Sequence, residues 1–191
     1  MPASVELSAL FDPTLERVGL PLEHPYLEEV YASVLGPSSV IFLRRAGRLL
    51  AEHPDGITLD VVDLSRSLGL GARPDANDVG RNSPLRRTMD RLVRFRMASW
   101  RDDDRLAAHT KVPALERHRV ARLPETVQSA HHRLLTAHLS GLVARAEGRE
   151  LAPGRSPAPA VAEAEAVKES PVAARLRAFG TKPHDPRTVA R

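Results

Sequence analysis

The sequence predicts a mostly α-helical domain with one small β-hairpin, additional helices on its N- and C-terminal sides and a disordered C-terminal tail. In five segments, apolar residues recur at spacings of three and four, which is the pattern of helices buried along one face. Two short runs on either side of an acidic turn at residues 102–104 are typical of a β-hairpin. Residues 145–191 contain six of the 16 prolines and one aromatic residue, so they cannot bury enough apolar surface to fold.

The composition excludes several classes of protein. The 191 residues include no cysteine, which rules out disulfides, thiolate metal ligands and thiol nucleophiles. No apolar run approaches the ~18–20 residues that cross a bilayer, and the first residues lack the basic and then apolar pattern of a signal peptide. We therefore expect a cytoplasmic protein without a membrane partner.

Charge is distributed unevenly along the chain. Residues 1–37 contain one basic and six acidic residues, whereas the next 85 residues contain 17 and 11. This is an acidic N-terminal segment followed by a basic middle, although a solvated surface would also explain the basic segment. We divide the chain into an acidic N-terminal segment with one helix, a central domain, a C-terminal helix and a tail, at residues 1–37, 38–122, 123–144 and 145–191.

Caps and breakers give the order of the elements. Thr58 is a suitable N-cap for the third helix, and Ser83 followed by Pro84 is suitable for the fourth. Residues 69–82 are rich in Gly, Asp, Asn, Arg and Pro, which predicts a loop. The hairpin occupies residues 98–112. The five predicted helices are residues 25–35, 38–53, 59–68, 83–97 and 124–144.

The order of three helices and a hairpin between residues 38 and 112 resembles the winged helix-turn-helix family, as found in bacterial transcription regulators. The resemblance implies that helix 83–97 lies in the DNA major groove and that the hairpin, or wing, contacts the DNA backbone. Two features depart from the family. The turn of 14 residues at 69–82 is longer than usual, and the aspartates at 102–104 would repel phosphates unless Arg101 and Arg105 neutralise them.

The predicted recognition helix, residues 83–97, contains five arginines and one acidic residue, Asp90. Its arginines fall on the side opposite the apolar residues, as a groove-facing helix requires. Arginine neutralises phosphates with release of counterions, and it can donate two hydrogen bonds to guanine. The candidates for base edges are Arg86, Arg87 and Arg91. Arg94 and Arg44 or Arg45 are the candidates for phosphate contacts. Arg81 and Asn82, which precede the helix, are further DNA-binding candidates, and Lys111 and His109 are weaker ones.

We expect a sequence-specific double-stranded DNA-binding protein that regulates transcription and has no enzymatic activity, cofactor or metal. The alternative function is a winged-helix module for protein–protein interaction in a larger complex, which the acidic wing tip favours. A third possibility is an arginine-rich helix that is merely solvated. A steep loss of DNA affinity with salt would distinguish the first from the others.

Four further features have two interpretations. The histidines of the last helix, His131, His132 and His138, have no cysteine or carboxylate at ligand spacing, so we expect packing rather than a zinc site. Trp100 is expected in the core, with base stacking as the alternative. The apolar faces of helices 25–35 and 124–144 could pack on the domain or form a homodimer. The tail could contain a short binding motif around residues 171–179.

Overall fold

The computed structural model of the protein describes residues 2–73, 79–80 and 82–148. This part of the chain is a mixed α/β unit with seven α-helices, a four-stranded sheet and a two-stranded ribbon. Arg81, much of the predicted loop and the predicted tail beyond residue 148 lie outside the described residues. Within the described ranges, we find no helix with the length and apolarity that a membrane span requires.

The N-terminal half begins with a strand and a short helix, which the sequence analysis did not predict. The side chain of Asp12 caps the first helix by accepting hydrogen bonds from the backbone N–H groups of Thr14 and Leu15. Gly36, with a φ of 78°, separates the second and third helices. The elements are β1 (Ser4–Ala9), α1 (Pro13–Val18), β2 (Leu20–Pro21), a π-helical turn (Leu27–Tyr31) that continues as α2 (Ala32–Leu35), α3 (Pro37–Glu52), β3 (Ile57–Asp60) and α4 (Val61–Ser67).

The C-terminal half follows the predicted order more closely. Ser83 caps the fifth helix by accepting a hydrogen bond from the backbone N–H of Arg86, and Pro84 occupies its first turn, both as predicted. The last helix reaches Ala146, so the start predicted for the tail, residue 145, still lies in a helix. The elements are α5 (Pro84–Arg94), β4 (Ala98–Trp100), β5 (Arg105–Ala108), β6 (Lys111–Val112), α6 (Arg117–Val120) and α7 (Glu125–Ala146).

The four-stranded sheet brings the N-terminal segment into the centre of the fold. Its strand order is β3-β1-β5-β4, with β1 antiparallel to β3 and parallel to β5. The hairpin pairs Trp100 with Leu106 and Ala98 with Ala108. A separate ribbon pairs β2 with β6. Residues 1–37 therefore supply a central strand in addition to the predicted helix.

Two predicted helix boundaries are corrected. Residues 57–60 form β3, and Asp60 rather than Thr58 caps α4, because its carboxylate accepts a hydrogen bond from the backbone N–H of Asp63. The fifth helix ends at Arg94 rather than at residue 97, because Arg96 adopts a left-handed conformation with a φ of 58°. The helix predicted at 25–35 begins as the π-helical turn.

The core is a single cluster that includes side chains from both halves of the chain. Tyr26, Leu27, Val30 and Tyr31 are at most 2% exposed, so the apolar face predicted for helix 25–35 is covered within the chain. The histidine at position 131 is also buried, on α7. The α7 helix therefore packs on the N-terminal segment and completes the core.

Candidate nucleic-acid interface

The α5 helix is divided into a buried and an exposed side, as the sequence predicts. The pattern follows from the helical period, which places residues three and four apart on one face. The buried side consists of Leu85, Thr88, Met89 and Leu92. The exposed side consists of Arg87, Asp90, Arg91 and Arg94, with Arg86 half-buried at one edge.

One edge of this exposed side is attached to the second helix. The Nη1 atom of Arg91 donates a hydrogen bond to the backbone carbonyl of Leu35, at 3.1 Å. The same atom lies 2.9 Å from where a Cβ on Gly36 would stand, so the glycine leaves room for the guanidinium. Arg91 therefore joins α5 to the end of α2, and this contact uses part of its hydrogen-bonding capacity.

The other edge contacts the β4–β5 hairpin. The Nε atom of Arg86 donates a hydrogen bond to the Asp90 carboxylate at 3.0 Å. Its guanidinium lies 5.4 Å from the centroid of the Trp100 ring, within the range of a cation–π contact. Trp100 packs against the core, and its buried Nε1 has no hydrogen-bond partner among the described residues. Arg86 therefore holds α5 to β4.

The centre of the exposed side contains Arg87 and Arg94. Neither side chain has a hydrogen bond or an ion pair with any other residue that the structure describes. Their Cα atoms are seven residues apart, or about 10 Å along a helix axis. These two arginines are the predicted site residues whose positive charge is exposed and without a partner.

Two of the other predicted site residues have partners within the protein, and a third is exposed. Arg44 is half-buried on α3 and forms a 3.2 Å ion pair with Glu28. Lys111 forms a 2.9 Å ion pair with Glu16, and the hydrogen bond between the two side chains lowers the pKa of the glutamate. Asn82 is exposed in the turn before α5. Arg44 and Lys111 therefore stabilise the fold through contacts that DNA binding would have to break.

Arg45 has a different environment from Arg44. It is half-buried on α3 beside the apolar residues Phe42 and Leu49, where its stem covers part of the core. Its Nε atom is buried without a hydrogen-bond partner among the described residues. Arg45 is therefore a half-buried residue of α3 whose stem packs on the core, and not a fully exposed cation.

The turn of the β4–β5 hairpin is acidic at its tip. Arg105 forms ion pairs with Glu6 at 3.1 Å and with Asp102 at 3.8 Å. The side chains of Asp103 and Asp104 are exposed and have no partner among the described residues. Two carboxylates thus remain uncompensated, which would repel phosphates at this point.

The histidines of α7 take part in packing. The Nδ1 atom of His131 lies 2.6 Å from the Tyr26 hydroxyl, which also accepts a hydrogen bond from the backbone N–H of Leu115. Burial lowers the pKa of His131 below its ordinary value. The Nε2 atom of His138 lies 3.1 Å from the backbone carbonyl of Val18. In the ranges described, no three His, Cys, Asp or Glu side chains are grouped as metal ligands.

A cavity that the sequence does not predict lies beside α5. It has a volume of about 670 Å³ and lies between α1, the π-helical turn, the end of α5 and residues 113–119. Arg96 and Arg119 line it together with the predicted DNA-binding residue Arg94. No pattern in the sequence indicates this site, because its walls come from four distant segments of the chain.

Comparisons with known proteins give no match: neither a protein-family model nor a curated protein nor a solved structure is similar to this chain. The arguments for function therefore depend on the geometry and charge of these side chains.

Proposed function

We propose that the protein binds double-stranded DNA through the exposed side of α5 and regulates transcription by occupying its site. The observation that supports this proposal most strongly is the pair of exposed, unpartnered arginines, Arg87 and Arg94, on a helix whose opposite side is buried. A cationic ridge on a well-anchored helix suits a polyanion, because each phosphate contact releases condensed counterions.

The order of elements supports a winged helix-turn-helix arrangement. In this proposal α3, α4 and α5 are its three helices, and the β4–β5 hairpin is the wing. The α5 helix has 11 residues and is therefore about 16 Å long. A helix of this kind fits the major groove of B-DNA, which is about 12 Å wide. The β1 strand between β3 and β5 is an additional element supplied by the N-terminal segment.

The contacts within the protein narrow the set of DNA-binding residues. Arg87 lies near the N-terminal end of α5, where recognition helices approach base edges, so we assign it to bases. Arg94, one helical turn from the wing, is assigned to a phosphate. Arg86 and Arg91 contact Trp100 and the Leu35 carbonyl, so we assign them to positioning α5.

A second candidate function, protein–protein interaction in a larger complex, is favoured by the acidic tip of the wing. The exposed carboxylates of Asp103 and Asp104 would face the DNA backbone if this wing docked in the usual way. They would suit a basic protein surface instead. Absence of DNA binding at low salt would favour this candidate.

A homodimer is also part of the proposal, through the distal part of α7. Leu139 and Val143 are 47% and 53% exposed there, four residues apart on one face. Two copies would present two recognition helices to two half-sites and so increase affinity. A mass of two chains from light scattering across micromolar concentrations would support the dimer, and a mass of one chain throughout would contradict it.

Fluorescence anisotropy with a labelled mixed-sequence duplex of 30 base pairs tests DNA binding. We expect affinity to fall steeply with salt for the natural chain. The variant Arg87→Ala/Arg94→Ala should bind at least about 30-fold more weakly, because each lost contact is worth about 1–3 kcal/mol. The matched control is Arg17→Ala/Arg48→Ala, which removes the same charge from exposed, unpartnered arginines of α1 and α3.

The control variant should bind within about twofold of the natural chain, because it loses the same net charge but none of the proposed DNA contacts. Equal weakening by both variants would show that only net charge matters and would contradict the assignment to α5. No binding by the natural chain at low salt would contradict the proposal as a whole.

A further inference from the structure

The end of α5 contains an arginine where the backbone favours glycine. The backbone N–H of Met97 donates to the carbonyl of Leu92 at 2.9 Å, and that of Arg96 donates to the carbonyl of Val93 at 3.0 Å. These two bonds form a Schellman motif, whose left-handed residue is usually glycine. Here it is Arg96, with a φ of 58°, the one non-glycine residue with a positive φ among those described.

No hydrogen bond or ion pair of the Arg96 side chain offsets this strain within the part of the chain that the structure describes. Strained residues persist where the surrounding structure holds them in place, and they are concentrated at functional sites. The left-handed backbone places this side chain on the wall of the 670 Å³ cavity, which it shares with Arg94.

The cavity combines apolar and cationic surfaces. Leu15, Phe95 and Leu115 contribute apolar walls. A third arginine, Arg119, lies over the Phe95 ring with its guanidinium carbon 5.4 Å from the ring centroid. The volume falls within the range of pockets for small organic molecules.

The carboxylates in the cavity do not neutralise the two unpartnered arginines. The carboxylate of Asp12 accepts hydrogen bonds at the N-cap of α1. That of Glu116 forms an ion pair with Arg119 at 3.2 Å and lies 3.4 Å from Nε2 of His118. The positive charges of Arg94 and Arg96 therefore remain to attract an anion.

We propose that this cavity binds a small organic anion, a carboxylate attached to an apolar ring or chain, and that the bound anion competes with DNA for Arg94. The carboxylate would lie between Arg94 and Arg96, and the apolar part against Phe95. The second clause rests on the proposed DNA binding, because Arg94 belongs to both the cavity and the exposed side of α5. The first clause stands independently of it.

Thermal unfolding with added ligand tests the cavity without DNA. The probes are 1-naphthylacetate and its uncharged amide, 1-naphthylacetamide. We expect the acid to raise the Tm saturably, by about 3–6 °C at ten times its Kd, and the amide to have little effect. Arg96→Gly, which fits the positive φ and therefore folds, should lose the shift, whereas Arg96→Lys should retain most of it.

The proposal would be overturned if the acid and the amide shifted the Tm equally. It would also be overturned if the acid shifted the Tm of Arg96→Gly as much as that of the natural chain. The absence of a saturable shift with all of 1-naphthylacetate, phenylacetate and hexanoate would overturn it as well. If the acids gave no shift and Arg96→Gly weakened DNA binding as strongly as Arg87→Ala/Arg94→Ala does, the cavity would be part of the DNA interface instead.

Competition is tested by anisotropy at saturating 1-naphthylacetate, with the amide plus an equal concentration of sodium chloride as the ionic-strength control. The natural chain should lose about tenfold in DNA affinity, and Arg94→Ala should lose less than about twofold, because the contact is already absent. Equal losses in both proteins would overturn competition for Arg94. A chain that does not bind DNA would contradict the proposed function only, since thermal unfolding still tests the cavity.

Discussion

The α5 and α7 helices both present several basic or histidine side chains, but they use them differently. On α7, His131 contacts the Tyr26 hydroxyl, Arg133 pairs with Glu29, and His138 contacts a backbone carbonyl. In the centre of α5, two arginines are exposed and have no hydrogen-bond or ion-pair partner among the residues that the structure describes. Similar residues are thus structural where they have a partner in the chain and available for binding where they do not.

The largest effect that tests this comparison concerns the buried side of α5. Leu92 is fully buried, so Leu92→Ala should lower the free energy of unfolding by about 2–5 kcal/mol through lost burial and a residual cavity. Urea unfolding measures this loss. Arg87→Ala is the matched variant on the exposed side, and its effect should stay within about 0.5 kcal/mol. Similar losses in both variants would show that the exposed side is also structural.

The next effect concerns the buried contact that attaches α7. Tyr26→Phe removes the hydroxyl that accepts a hydrogen bond from the backbone N–H of Leu115 and contacts His131. Both buried polar groups then lose this partner. We expect a loss of about 1–3 kcal/mol in unfolding free energy, with unchanged DNA affinity. Urea unfolding and anisotropy on the same preparations measure both. A large drop in DNA affinity without loss of stability would assign function to α7 instead.

A smaller effect of opposite sign is expected at the end of α5. Arg96→Gly removes the strain of a left-handed arginine, so the free energy of unfolding should rise by about 1 kcal/mol. Arg94→Gly, at the helical position two residues earlier, should instead destabilise the protein by a similar amount. If Arg96→Gly also destabilised the protein, the arginine would be making stabilising contacts.

The smallest effect is a dependence of stability on pH. Burial lowers the pKa of His24 and His131 below the ordinary value of 6.5. The folded protein therefore binds fewer protons than the unfolded chain just below pH 6.5. The contribution of these histidines to stability is complete above pH 6.5 and is lost as the pH falls through their folded pKa values.

Urea midpoints between pH 7.5 and 5.5 measure this loss, and His24→Gln/His131→Gln should reduce the slope. The acidic residue Glu16 does not interfere in this range, because its pKa is lowered from an ordinary value of 4.5. A natural chain whose midpoint rises as the pH falls would contradict the packing role of the two histidines.

The elements that the sequence predicts well are those with a long apolar period. The helices α3, α5 and α7 lie close to their predicted positions, because many residues share each pattern. The strands β2 and β6 contain two residues each, which is too few for a period of two to be visible. They exist because distant segments pair, and no local signal indicates that pairing.

The same distinction applies to the candidate site. The spacing of Arg87 and Arg94 places both on the exposed side of α5, and the helical period predicts this. The contact of Arg91 with the Leu35 carbonyl spans 56 residues of sequence, so it depends on how α2 packs against α5. The left-handed backbone of Arg96 was also missed, because the residue usually found there is glycine.

The most direct test of the comparison is an NMR titration of isotope-labelled protein with the duplex, following assigned backbone amides of α5 and α7. We predict that the amides of Asn82, Ser83 and residues 86–94 shift on DNA binding, whereas those of residues 125–146 remain within the range of a salt control. Shifts concentrated in α7, with α5 unchanged, would contradict the claim that the exposed side of α5 is where the protein binds DNA.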